Sequence, residues 1–265
     1  MTMNCRSRHT PYLAAFLAVA VLLLGATAPA QSAAAETTGT APKTVLITGA
    51  NRGIGLELAR QFAAGGWRVI GTARKPDAAQ ELRGVAWKVV PLDVTDPVSV
   101  DQMAQELAGT PIDLLINNAG IQPLMWTLEE VDFDDFEHAL AVNTTGPVRV
   151  TRALLPNLRA GMLREIVNVT TNLSSIAENT EGGFYGYRES KAALNMFTKS
   201  LAVDLGPEGF TCIVLHPGWV RTDLGGPQAP LAVEDSVRGM ISVIEGLTSA
   251  DNGAFFTYAG ERMAW

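Results

Sequence analysis

Tyr187 and Lys191 are the pair of residues in this sequence best suited to move a proton. They lie four residues apart in the segment 185–195, and residues at this spacing share one face of a helix. An isolated tyrosine has a pKa near ~10, and a neighbouring positive charge lowers that pKa toward neutral pH. The pair therefore predicts a general acid, although Tyr-x-x-x-Lys also occurs by chance on helices.

A glycine-rich turn upstream predicts a phosphate site. The β-branched run 44–48 leads into the sequence GANRGIG at residues 49–55, and an amphipathic pattern follows at 56–62. Glycines let a backbone approach a pyrophosphate closely, and the first N–H groups of the next helix bind the anion. The spacing Gly-x-x-x-Gly-x-Gly departs from the commoner dinucleotide fingerprint. With a strand before it and a helix after it, the turn indicates dinucleotide binding rather than a purely structural bend.

With these two motifs and several others in the same order, the chain resembles the short-chain dehydrogenase/reductase family in its single-domain form. The resemblance runs from about Lys43 to the C-terminus. Within the family, the segments 216–223 and 187–188 are similar to the C-factor-like carbonyl reductases. The other motifs that carry the resemblance are Asp93, the run Asn117-Asn118-Ala119-Gly120, Asn143, Pro217-Gly218 and Arg221-Thr222.

The resemblance implies hydride transfer between a nicotinamide cofactor and a carbonyl or alcohol substrate, with no metal. Tyr187 would exchange the proton with the substrate oxygen, and Lys191 would lower the tyrosine pKa and bind the nicotinamide ribose. Asn143 would hold a water that links Lys191 to solvent; its alternative role is that of a buried core amide. The cofactor would lie against Gly49, Asn51, Arg52, Gly53, Ile54, Gly55, Arg74, Asp93, Val94, Asn118, Ala119, Gly120, Tyr187, Lys191, Pro217, Gly218, Val220 and Thr222.

Two hydroxyl groups compete for the family's active-site serine, which follows the fifth strand. Alignment by the end of that strand places Thr171 there, whereas counting back from Tyr187 by the commonest spacing gives Ser174. The longer loop of the C-factor-like subgroup favours Thr171, and threonine offers the same donor hydroxyl as serine. Ser175 is a third candidate. The sequence leaves this choice open.

The residues after the second strand favour NADP(H) over NAD(H). An NAD site places a carboxylate about 20 residues beyond the glycines, whereas an NADP site places an arginine there. Ala73 stands where the acid would be, Arg74 follows it, and Arg52 lies inside the glycine turn. Guanidinium groups pair bidentately with phosphate, so the two arginines indicate the 2′-phosphate of NADP.

Three of the implied cofactor contacts have definite roles in the family pattern. Asp93 would accept a hydrogen bond from the adenine amino group, or else cap its own loop. Thr222 would bond the nicotinamide carboxamide. The backbone of Gly120 would pass close to the cofactor, although the run 117–120 also serves to stabilise a sheet.

The order of elements predicts a doubly wound parallel β-sheet in a Rossmann-like αβα sandwich. Ligands of such sheets bind at the carboxyl ends of the strands, where every motif above falls. The predicted strands lie near 44–48, 67–72, 86–91, 112–117, 163–170, 210–215 and 254–258. The predicted helices lie near 53–65, 97–108, 132–145, 147–160, 187–205 and 233–246.

The N-terminus predicts export. Arg6 and Arg8 precede an apolar stretch over 12–26, and Ala28-Pro29-Ala30 provides the small residues of a signal-peptidase site. The apolar stretch is shorter than the ~20 residues of a membrane span, so we expect cleavage after residue 30 and no stable span; an uncleaved anchor and a misassigned start codon are the alternatives. Residues 31–42 read as a flexible leader, and 43–265 as one domain. A cytoplasmic location would follow from the misassigned start.

Composition restricts the partners. The formal charge is −7 and there is no block of lysine or arginine, which argues against nucleic acid. The substrate would be a small carbonyl compound or alcohol, held by loops at 122–127, 178–185 and 224–233. An apolar wall would come from Met125, Trp126, Phe184, Tyr185 and Trp219. The alternative is a non-catalytic nucleotide-sensing or signalling protein on the same fold; an epimerase of the sugar-nucleotide branch would need a larger C-terminal region. The resemblance suggests a homodimer or homotetramer.

Overall fold

Apolar β-branched runs alternate with amphipathic segments, and in the computed structural model each run is a buried strand followed by a covering helix. The structure describes residues 41–265, which form one compact unit. The predicted signal segment 1–30 and the predicted leader as far as residue 40 lie outside the described residues. Within 41–265, no helix has both the length and the apolar character needed to cross a bilayer.

The described residues contain seven strands and seven α-helices. A π-helical turn at Ala141–Thr145 separates the fourth helix from the fifth. The strands are β1 (Thr44–Ile47), β2 (Arg68–Ala73), β3 (Lys88–Pro91), β4 (Leu114–Asn117), β5 (Glu165–Val169), β6 (Thr211–His216) and β7 (Phe255–Thr257). The helices are α1 (Gly53–Ala64), α2 (Gln80–Val85), α3 (Pro97–Glu106), α4 (Phe133–Leu140), α5 (Gly146–Ala160), α6 (Tyr187–Leu205) and α7 (Val233–Glu245).

The strands form one parallel sheet in the order β3-β2-β1-β4-β5-β6-β7. Strands β2 and β3 lie on one side of β1, and β4 to β7 lie on the other. This change of side between β1 and β4 creates the crevice where ligands of such folds bind. Side chains alternate across β1: Val45 and Ile47 pack under α1 and α7, whereas Leu46 packs under α3 and α5. The predicted Rossmann-like sandwich is confirmed.

Two local features differ from the prediction. Helix α2 is absent from the predicted helices, because it has only six residues and one buried side chain, Leu82. Leu82 fills the space beside Gly71, where a Cβ would lie 2.6 Å from Leu82 Cδ1. The helix predicted over 132–145 ends at Leu140 and continues as the π-helical turn, whose wider winding the side-chain pattern does not reveal.

Candidate active site

The sheet brings the predicted site residues to one edge. The glycine turn follows β1, the run 117–120 ends β4, the candidate hydroxyl groups follow β5, and Thr222 follows β6. Since β1, β4, β5 and β6 are consecutive neighbours, these four segments lie side by side at the carboxyl ends of the strands. Helix α6 begins at the same edge with Tyr187.

Tyr187 is the first residue of α6 and is 8% exposed. Gly186 precedes it with a φ of 77°, and a Cβ there would lie 3.0 Å from Met125 Cε and 3.3 Å from Phe136 Cα. Glycine suits this position because the backbone has a positive φ and because there is little room for a Cβ. Gly186 therefore lets the chain enter α6 with Tyr187 as its first residue. Burial raises the pKa of Tyr187 to about 12, and a hydrogen bond with the Thr171 hydroxyl works in the opposite direction.

Lys191 lies one helical turn beyond Tyr187. Its ammonium donates a hydrogen bond of 2.8 Å to the carbonyl oxygen of Val169, at the end of β5. Burial lowers the pKa of Lys191 to about 8. The role of Lys191 in lowering the tyrosine pKa stays a prediction; burial raises the pKa of Tyr187, and Thr171 opposes that rise.

The candidate hydroxyl groups after β5 have different surroundings. Thr171 is close enough to Tyr187 to lower its pKa; its hydroxyl also donates to Asn172 Oδ1 and accepts from the Leu173 N–H, both at 3.2 Å. The Ser174 hydroxyl donates to the Thr171 carbonyl oxygen and accepts from Asn195 Nδ2 at 2.9 Å, so its hydrogen bonds are made within its own turn and with α6. Ser175 is buried, and its Oγ accepts from the backbone N–H of Glu178 at 3.2 Å. The geometry favours Thr171 as the hydroxyl that faces Tyr187.

Asn143 lies in the π-helical turn and is fully buried. Its Oδ1 accepts from the Ile121 N–H at 2.9 Å, and its Nδ2 donates to the Ile121 carbonyl oxygen at 2.8 Å and to Ser190 Oγ at 3.0 Å. The side chain therefore fixes the backbone after β4 to α6. A Cβ at Gly120 would lie 3.2 Å from Asn143 Oδ1 and 3.5 Å from Lys191 Nζ, so the two side chains border the same space. The water link from Asn143 to Lys191 stays a prediction.

The glycine turn is held against β4 by Asn118. Asn118 Nδ2 donates to the carbonyl oxygens of Thr48 at 2.9 Å and Gly49 at 3.2 Å, so this side chain stabilises the turn. Gly49 has a φ of 63°, and a Cβ there would lie 3.0 Å from Ala119 Cα. Both conditions require glycine. The methyl of Thr222 packs over the turn, 3.5 Å from where a Gly53 Cβ would stand.

The charged residues of the predicted cofactor site have partners of their own. Asp93 Oδ1 accepts from the N–H of Thr95 at 2.9 Å and from its hydroxyl at 2.6 Å. These bonds are the main reason why the pKa of Asp93 is lowered, and the charge of Arg74 contributes to the same shift. Arg52 pairs with Asp223 at 2.9 Å, with both side chains exposed.

The remaining predicted cofactor residues lie along the same edge. They are Asn51 in the turn, Ile54 and Gly55 at the start of α1, Val94 after β3, and Pro217, Gly218 and Val220 after β6.

Sequence reasoning assigned no role to Arg188 or Asp223. Arg188 donates to backbone carbonyls of the loop before α6, and Asp223 pairs with an arginine 171 positions away. No sequence spacing indicates the partners of Arg188 or of Asp223. Only the tertiary structure reveals them.

Comparison with known proteins identifies the family to which this chain belongs. A family model described as short chain dehydrogenase matches residues 43–230. The chain belongs to the short-chain dehydrogenase family. It is therefore an NAD(P)-dependent oxidoreductase.

Among relatives of this short-chain dehydrogenase, C-signal of Myxococcus xanthus is 52% identical over 155 residues, which are 58% of this chain and 93% of that protein. Carbonyl reductase Sniffer of D. melanogaster aligns with a TM-score of 0.79 at 35% identity, covering 85% of this chain and 100% of that chain. The NADPH-bound carbonyl reductase from chicken fatty liver aligns with a TM-score of 0.77 at 35% identity, with the same coverage.

The residues of this short-chain dehydrogenase fit a dinucleotide. Helix α1 starts at Gly53 with no side chain capping its first N–H groups and no acidic residue in its first turn. Uncapped N–H groups and the positive end of the helix dipole favour a pyrophosphate. The turn also requires glycine at position 55, because a Cβ there would lie 2.5 Å from Asn118 Nδ2.

Proposed function

We propose that this short-chain dehydrogenase is an NADP(H)-dependent oxidoreductase that interconverts small carbonyl compounds and alcohols. When bound, the nicotinamide supplies or accepts the hydride. Tyr187 donates the proton to the substrate oxygen in reduction, and Thr171 hydrogen-bonds the same oxygen. The observation that carries the proposal is the convergence of Tyr187, Thr171 and Lys191 at the end of β5. Thr171 lowers the pKa of Tyr187, and Lys191 Nζ donates to the carbonyl oxygen of Val169, two residues before Thr171, at 2.8 Å.

The electrostatics suit reduction. Burial raises the pKa of Tyr187 to about 12, so the phenol holds its proton at neutral pH and can act as an acid. Lys191 brings a positive charge to the end of β5, where it favours the phenolate that remains after proton transfer.

The preference for NADP(H) rests on the end of β2. Ala73 is buried there and Arg74 is exposed beside it, so an arginine rather than a carboxylate faces the region of the adenine ribose. The NADPH-bound chicken enzyme has the same fold at 35% identity, which supports this preference.

Replacing Arg74 tests the preference. We expect Arg74→Ala to weaken NADPH binding about tenfold, the loss of a charge-assisted phosphate contact, and to leave NADH binding nearly unchanged. Fluorescence titration with both cofactors measures the change. Arg83→Ala, an exposed arginine paired with Asp77, is the matched control. Equal losses for NADPH and NADH would contradict the assignment.

A carbonyl screen tests the proposed reaction. The protein is mixed with NADPH or NADH and a panel of aldehydes and ketones, and cofactor oxidation is followed by absorbance. We expect NADPH oxidation with at least one class of carbonyl compound and slower oxidation of NADH. NADPH binding without oxidation of any panel member would contradict the proposal.

A nucleotide-sensing or signalling protein is the second candidate. The 52% identity with C-signal is the observation that favours it. Such a protein would bind NADPH and show no turnover, so the carbonyl screen separates the two functions.

A further inference from the structure

The segment between β5 and α6 has an unusual backbone. We call residues 173–186 the active-site loop, since it leads from the candidate hydroxyl groups to Tyr187. Gly182, Gly183 and Gly186 have positive φ values of 68°, 67° and 77°, and Phe184 joins them with a φ of 54°. A bulky non-glycine residue in this region is strained by ~1 kcal/mol or more. Other contacts must hold the loop in this shape.

Arg188 supplies these contacts. Its Nε donates to the carbonyl oxygens of Gly182 and Gly183, both at 3.1 Å, and its Nη1 donates to that of Leu173 at 3.2 Å. The guanidinium also lies over the ring of Phe184, 5.9 Å from the centroid. One side chain thus joins the first residue of the active-site loop to its glycine-rich end.

Within residues 41–265, Arg188 forms no salt bridge with a carboxylate. Its hydrogen-bond partners are backbone carbonyls of the loop. A planar guanidinium can reach several carbonyls at fixed angles, whereas an ammonium cannot reproduce that fork. The side chain therefore acts on loop shape rather than on charge balance.

The active-site loop carries an aromatic wall. The ring of Phe184 lies 4.2 Å, centroid to centroid, from that of Trp126. The backbone N–H of Tyr185 donates to the Met125 carbonyl oxygen at 2.9 Å, which connects the loop to the segment after β4. Trp126 is 56% exposed, and the Tyr187 N–H donates to the Phe184 carbonyl oxygen at 3.1 Å, so the aromatic pair lies next to the start of α6.

We propose that Arg188 is a specificity-determining positioning residue. By fixing the active-site loop, it holds the Trp126–Phe184 pair as a rigid wall beside the reacting groups, and so favours carbonyl compounds that carry an aromatic ring. Arg188 acts through the loop and touches neither Tyr187 Oη nor Thr171 Oγ1 among its hydrogen bonds. The choice of substrate rests on the carbonyl reductase function proposed above.

Three variants test the role of Arg188. Arg188→Met keeps the apolar stem and removes all donors, and Arg188→Lys keeps the charge without the fork. Arg164→Met is the matched control, because Arg164 is also half-buried and also donates to backbone carbonyls, those of Glu208 and Arg159. Its partners lie outside the active-site loop.

Kinetics with benzaldehyde and propanal separate positioning from general damage. For Arg188→Met we expect the KM for benzaldehyde to rise about tenfold, with kcat and the propanal kcat/KM changed less than about threefold. Arg188→Lys should restore little of the benzaldehyde KM. Arg164→Met should match the unmodified protein. Equal losses with both substrates, or no loss with either, would overturn the proposal.

Hydrogen exchange tests the loop independently of turnover. Amide exchange across 173–186 should be faster in Arg188→Met than in the unmodified protein, with Arg164→Met unchanged and NADPH binding retained in both variants. Unchanged exchange in the loop would overturn the positioning role. If the unmodified protein binds NADPH but reduces no carbonyl compound, the proposed reaction fails, while the exchange result still decides whether Arg188 shapes the loop.

Discussion

At the residue scale, the site depends on a phenol whose proton is held by burial. Burial raises the pKa of Tyr187 to about 12, and Thr171 opposes that rise. We expect Tyr187→Phe to reduce turnover by a factor of about 10³, in keeping with loss of a general acid. Affinity for NADPH should stay within a few fold. Stopped-flow and titration measurements check the two quantities, and undiminished turnover would refute the assigned acid.

The two hydroxyl groups after β5 give a paired experiment. Thr171→Ala should reduce kcat about 10²-fold, because it removes a donor to the substrate oxygen, whereas Thr171→Ser should keep most of the activity. Ser174→Ala should chiefly lower the free energy of unfolding, by ~1–3 kcal/mol, since it leaves the buried partners of Ser174 unsatisfied. Steady-state kinetics and urea unfolding measure both effects. A larger rate loss in Ser174→Ala would reverse the assignment.

Sequence indicated the proton-transfer pair and the glycine turn because both depend on short, fixed spacings. It left Thr171 and Ser174 undecided, because the count back from Tyr187 depends on loop length. The structure distinguishes their surroundings through contacts that no local pattern encodes: Ser174 bonds Asn195 from the middle of α6. The contribution of burial to the tyrosine pKa could not be predicted for a related reason, since burial is a property of the whole fold.

At the element scale, the strands and long helices follow from hydrophobic pattern and turn residues. Helix α3 begins at Pro97, and the Asp96 carboxylate before it accepts from the Val98 N–H at 2.9 Å. The missed elements lack such signals. Helix α2 includes Gly84 and has one buried side chain, and no residue pattern marks the wider winding of the π-helical turn around Asn143.

The opposite edge of the sheet, at the start of β5, gives a pH dependence of stability. Burial raises the pKa of Glu165 to about 7, Lys43 opposes that shift, and Asp113 adds to it. Between pH ~4.5 and ~7 the folded state binds more protons than the unfolded state, so the free energy of unfolding falls as pH rises, by at most ~1.4 kcal/mol per pH unit from this group.

Replacement of Glu165 by glutamine checks this dependence. Glu165→Gln should flatten the fall between pH 4.5 and 7 and make the protein more stable at pH 7.5, as measured by urea unfolding across that range. Glu106→Gln, at an exposed ion pair with Lys88, is the control. An identical pH profile for Glu165→Gln and the unmodified protein would contradict the raised pKa.

At the scale of the whole molecule, the N-terminal prediction concerns residues outside those described. The arginines at 6 and 8, the apolar stretch 12–26 and Ala28-Pro29-Ala30 predict cleavage after residue 30. We expect protein isolated from its native cells to begin at Gln31, and Ala30→Leu to block that processing. N-terminal sequencing measures both. A chain that begins at Met1 in unmodified protein would contradict export by cleavage.

The ion pair between Arg52 and Asp223 joins the glycine turn to the loop after β6. Both side chains are largely exposed, at 70% and 77%, and a pair of this kind stabilises by ~1 kcal/mol or less. The 2′-phosphate of NADP(H), which the sequence predicts to pair with Arg52, would compete with Asp223 for the guanidinium. Breaking this ion pair therefore costs little more than thermal energy. We expect that separation of the two segments would not limit the rate at which a cofactor enters or leaves.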